Sequence, residues 1–238
     1  MRSGVNAAYL GLFLSGIASA ATAPYLSTVG LDIMGLSGTQ YSTIVFASGI
    51  LSVGMSLSVG WLSDRIARRR LLTSLLAAIA GLGIGAFVAF GSVALFVLCC
   101  LIFLPLTSIL TQQFFAYLRA ESRHLDKLTI ENRNARGRTV FASAWVATPL
   151  IFFAASGLDP ANLAFAASAL ACLAGALVFS PIFGGKTQDA GLSITPPGKT
   201  GWRPIVTACL MLTIPLLACG ALRAAPRLQQ ILLGPIVT

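Results

Sequence analysis

Charge is the scarcest property of this sequence. Only 10% of its 238 residues are charged, seven of them carboxylates, and histidine occurs once, at His124. Globular domains carry about 25% charged residues, so a water-soluble fold of this length is excluded. The raw material of catalysis is missing too. The apolar stretches hold no histidine and no carboxylate cluster, which leaves no general acid–base pair inside them. Five cysteines are present, Cys99, Cys100, Cys172, Cys209 and Cys219, all within apolar runs, with no CxxC and no Cys/His spacing. That pattern argues against a metal site or a disulfide framework and fits small buried apolar residues. Neither an enzyme nor a cofactor is expected.

Apolar residues take the place of charge. They make up 56% of the chain, and the mean hydropathy is +0.86. A bilayer-crossing helix needs about 20 such residues in succession. Seven runs qualify, at approximately 7–29, 41–62, 71–91, 94–117, 139–157, 161–183 and 205–225. The expectation is an all-α, polytopic helical membrane protein with about seven transmembrane helices. Small residues such as Gly81, Gly83 and Gly85 suit close helix packing in lipid.

The basic residues have one-sided placement. Arg2 precedes the first run; Arg65, Arg68, Arg69 and Arg70 follow the second; Arg119, Arg123, Lys127, Arg133, Arg136 and Arg138 lie around the fourth and fifth; Lys186, Lys199 and Arg203 separate the sixth and seventh. The alternate loops carry only Asp32 and Asp159. Fourteen of sixteen basic residues therefore fall on one face, which the positive-inside rule makes cytoplasmic, with the N-terminus there. The pI near 10 follows from basic loops on a lipid bilayer and does not call for nucleic acid. Residues 1–20 look like a secretory signal, with Ala18-Ser19-Ala20 as a cleavage site. The apolar run continues to Val29, however, so the segment is read as a retained span.

The densest charge lies in "GWLSDRIARRR", residues 60–70. The pattern Gly60-x-x-x-Asp64-Arg65-x-x-Arg68-Arg69, between the second and third runs, resembles the signature loop of the major facilitator superfamily. Ala67 stands where that loop has a further glycine. A plain topology anchor would explain the arginines but not Asp64, since a carboxylate at the end of an apolar helix is costly unless paired. The resemblance implies a conformational latch formed by Gly60, Asp64, Arg65, Arg68 and Arg69, which holds helix ends together during alternating access. It also implies proton coupling and a multi-pass protein of the bacterial inner (plasma) membrane.

The fifth run points at a substrate. Arg138 and Trp145 are seven residues apart, two turns at 3.6 residues per turn, so they share a helix face. A guanidinium fork suits pairs of hydroxyls, and an indole offers a flat surface to a sugar ring. Arg136, Arg138 and Trp145 are similar to the Arg-x-Arg and tryptophan of lactose-permease-type proteins. The same segment resembles the sugar efflux transporter family, with Thr148-Pro149 in place of Gly-Pro, as does "APYLS" at 23–27. Arg138 and Trp145 are therefore candidate substrate-binding residues for a sugar-like solute. The competing expectation is an interfacial anchor and a belt tryptophan.

The resemblance implies three parts: a six-helix transporter half at 1–183, a cytoplasmic basic linker at 184–204, and a seventh span with an aberrant C-terminus at 205–238. "TAPYL" near Pro24 and "AAPRL" near Pro226 are a short internal echo, as repeated halves would leave. A truncated or frame-shifted product is expected. Sugar efflux is the leading functional expectation. A drug or metabolite/proton antiporter and a non-transporting membrane fragment or interaction partner are the alternatives. A retinal protein is excluded, because no lysine follows Lys199.

Overall fold

A computed structural model describes residues 2–65, 69–154 and 160–180, with side chains for 4–63, 69–152 and 161–180. Six long helices run through these residues: α1 (Arg2–Thr22), α2 (Gly38–Arg65), α3 (Arg69–Phe90), α4 (Val93–Ser122), α5 (Lys127–Ala154) and α6 (Pro160–Phe179). Five stretches are long and apolar enough to cross a membrane: Gly4–Thr22, Gly38–Ser63, Arg69–Phe90, Val93–Ser122 and Ala161–Phe179. The first half of α5 instead carries Arg133, Arg136 and Arg138. The protein is thus an all-α helical membrane protein, and the first six expected runs fall on its six long helices. The seventh run and the basic linker lie outside the described residues.

Local chemistry sets the helix ends. α1 stops at Thr22, just before Pro24, which has no N–H to continue the ladder. The chain then re-enters a short helix, Leu26–Thr28, followed by a π turn at Val29–Ile33. A reciprocal capping box starts α2. The Ser37 N–H donates to Gln40 Oε1 at 2.9 Å and the Gln40 N–H to Ser37 Oγ at 3.2 Å, so two orphan donors are satisfied. Gly91 takes the left-handed turn before α4 at φ 59°, and Ser92 Oγ accepts the Leu95 N–H.

Residues 118–138, polar and mixed in charge, are mostly helical. α4 persists to Ser122 and α5 begins at Lys127. The Asp126 carboxylate accepts the Thr129 N–H at 3.0 Å, an N-cap, and the Thr129 hydroxyl together with this N–H holds the carboxyl below its usual range. Lys127 and Glu131 face each other at i,i+4. Polarity reports exposure to water, and an exposed helix is as polar as an exposed loop.

Most of the closely packed helix pairs follow one exchange pattern. α1 and α5 run parallel: Leu12 meets Gly137 and Gly16 meets Ala144. α2 and α4 also run parallel, through Ser48 with Cys100, Ser56 with Gln112 and Ser63 with Gln113. α1 and α4 are antiparallel, with Gly4 beside Glu121 and Gly11 beside Phe114. α3 and α6 are antiparallel as well, with Ser74 at Ala176 and Phe87 on Phe165. Exchanging α1 with α4, α2 with α5 and α3 with α6 turns the α1/α5 pair into α4/α2 and α1/α6 into α4/α3, all of which pack. The other two pairs map onto themselves. Because α1 and α4 point in opposite directions, these pairs relate helices α1–α3 to α4–α6 as an inverted repeat.

The core is aromatic. Phe96, Phe114, Phe165 and Phe179 are fully buried, with Phe114 and Phe179 ring centroids 4.8 Å apart. Leu82 and Leu170, at 65% and 67% exposed, point outward, as suits lipid contact.

Candidate functional site

α5 has a narrow packed stripe. Gly137, Ala144 and Thr148 are buried on it, at the i, i+7 and i+11 positions of one face. Glycine and alanine let α1 approach closely. Arg138 and Trp145 are each one residue past this stripe, on a single flank, and both are exposed, Trp145 by 43%. They share a face as expected. Arg136 is also exposed, but at two residues from Arg138 it lies about 200° around the helix, so the two arginines are not one cluster.

Ala144 packs against Gly16, which lies in the apolar stretch Gly4–Thr22, so the neighbouring Trp145 stands alongside that stretch. Arg138 is two turns, about 10 Å, nearer the end that carries Glu121. No hydrogen bond or ion pair engages Arg138 among the described residues. A bare arginine facing hydrocarbon costs about 2.5–3.5 kcal/mol on insertion scales, so its guanidinium needs water, headgroups or a polar ligand.

The latch is described in part. Arg69 Nε donates to the Ser63 carbonyl at 3.1 Å, which places positive charge on the C-terminal turn of α2. Ser63 Oγ in turn donates to Gln113 Oε1 at 3.2 Å. The loop end is thereby tied to α4. A Cβ built on Gly60 meets nothing within 4 Å, so this glycine is not needed for close packing among the described residues. The side chains of Asp64, Arg65 and Arg68 lie outside the described residues.

Two features escaped the sequence reading. The first is Arg70. Its Nη2 donates to the Val178 carbonyl at 2.9 Å, its Nε to the Phe179 carbonyl at 3.2 Å, and its guanidinium lies 5.9 Å from the Phe179 ring centroid. These carbonyls are at the C-terminus of α6, where no intrahelical donor remains. Nothing in the sequence pairs Arg70 with residues 108 and 109 positions away; only antiparallel packing does. Arg70→Ala should lower stability by about 1.5–3 kcal/mol, the range for hydrogen bonds from a charged group, measured as thermal unfolding in detergent. Arg70→Lys should recover only part of it, since an ammonium cannot reproduce the fork. Unchanged stability in both variants would remove this clamp.

The second feature is a polar seam between α2 and α4. Ser48 Oγ donates to the Cys100 carbonyl at 2.6 Å, and Ser56 Oγ to Gln112 Oε1 at 2.8 Å. With Ser63 they form a stripe at two-turn spacing. That spacing was visible in the sequence, but its glutamine partners were not. No family model, curated protein or solved structure matches this chain.

Proposed function

We propose that the chain acts as a secondary transporter of the major facilitator type, moving sugars or similar polyhydroxylated solutes by alternating access. The observation that carries this reading is an exposed tryptophan beside the first apolar stretch, with an arginine two turns away on the same flank of α5 that has no partner among the described residues. The inverted repeat supports it, because transporters place solute sites near the bilayer midplane between such units. The basic loop with Asp64 at its helix end supports the latch role, and with it proton coupling. The end that carries Arg69, Arg70, Arg123 and Lys127 is the cytoplasmic end of an inner-membrane protein in this reading.

The test is solute counterflow with the full chain in proteoliposomes, using radiolabelled lactose and glucose as probes. Saturable exchange that is competed by unlabelled sugar is expected. Absence of both exchange and sugar binding in a folded preparation would overturn the sugar assignment.

A further inference from the structure

Gln112 is an exposed primary amide inside a helix long and apolar enough to cross a membrane. Its Oε1 accepts the Ser56 hydroxyl at 2.8 Å, which fixes one end of the amide. The other end, an NH₂ with two donors, has no partner among the described residues. Gln113, next along the chain, is half-buried and engaged with Ser63; it serves as ordinary polar glue between helices. Gln112 differs in being open. Hydrocarbon cannot satisfy an amide N–H, so the free donors require water or a polar ligand.

Its depth matches the α5 site. Phe115 reaches Gly137, with its ring 3.1 Å from where a Cβ would stand. Gln112 is one turn from Phe115 on the same side of α4. α4 runs opposite to α5, so this turn leads away from the charged end. Gln112 therefore lies between the levels of Arg138 and Trp145, on the helix adjoining α5. Ser108, one turn further along α4, is also exposed.

We infer that Gln112, oriented by Ser56, is a second hydroxyl-binding group of the solute site. It contributes amide donors from α4 where Arg138 contributes guanidinium donors from α5. This rests on the transporter reading above. Sugar hydroxyls are acceptors as well as donors, and donors from two helices would engage two parts of one ring.

The test is labelling of Gln112→Cys and Ser108→Cys full-length chains in proteoliposomes with a membrane-impermeant thiosulfonate. Leu170→Cys on the outer face of α6 and the unaltered chain serve as baselines, since Cys99, Cys100 and Cys172 are buried. Labelling well above both baselines, slowed severalfold by lactose or glucose, is expected at Gln112→Cys. Ser108→Cys covers the case in which the first variant does not fold. Labelling at baseline, or labelling that neither sugar slows, overturns the inference. Arg138→Cys and Trp145→Cys, measured in parallel, separate the two claims. Protection at Gln112 alone removes the α5 assignment and keeps this one; protection at α5 alone does the reverse.

Discussion

Arg138→Ala should weaken sugar binding by roughly tenfold to a hundredfold, the range for losing hydrogen bonds to a charged donor, and should abolish detectable counterflow. The folded bundle should survive, because Arg138 holds no other described side chain in place. That separation makes the experiment informative: thermal stability in detergent should stay level while binding falls. Arg138→Lys retains the charge but not the planar fork, so it should recover little. Trp145→Phe should keep part of the binding that Trp145→Ala loses, since a ring surface remains. Full transport by Arg138→Ala would sink the α5 site outright. Equal losses of stability and binding would make Arg138 a structural residue instead.

Gly16→Ala should produce the largest packing defect of any single methyl in the bundle's α1/α5 contact. The added Cβ would stand 2.7 Å from the Ala144 Cβ and 2.9 Å from the Phe141 carbonyl oxygen. Neither atom is the end of a flexible side chain, so the helices themselves must separate. Overpacking of this kind costs about 1–3 kcal/mol, and Gly16→Val should lie at or above the upper end. Trp145 follows Ala144 directly, so separation at this level should also displace the solute site. Gly60→Ala is the counterpart. It meets open space and should leave unfolding in detergent unchanged, although Gly60 belongs to the charged-loop pattern and Gly16 to no motif. Equal effects at the two glycines would mean that the α1/α5 approach is looser than it stands here.

The class of protein was legible in the sequence because hydropathy is a property of each segment against its solvent. Twenty apolar residues with no charge leave the backbone one solution in lipid, the helix, and the first six runs fall on the six long helices, although α5 begins at Lys127, twelve residues before the run marked from 139. The seven-residue spacing of Arg138 and Trp145 likewise fixed their shared flank, since helix geometry alone decides it. The capping box at Ser37 and Gln40 and the cap at Asp126 were also written locally. The latter was hidden inside a stretch whose mixed charge reads the same for helix and loop.

Only the tertiary structure decided what each helix meets. The parallel pairing of α1 with α5 and of α2 with α4, the bond from Arg70 to the end of α6, and the Ser56–Gln112 contact all join residues 50 to 130 positions apart along the chain, roughly. Lipid is as apolar as leucine, so hydropathy does not choose between neighbours. Close approach at Gly16, Gly81 and Gly137 and a few polar contacts make that choice. The level of Trp145 belongs to the same category. The sequence determined that a tryptophan lies on the α5 flank; packing of Ala144 against Gly16 determined which part of α1 it stands beside.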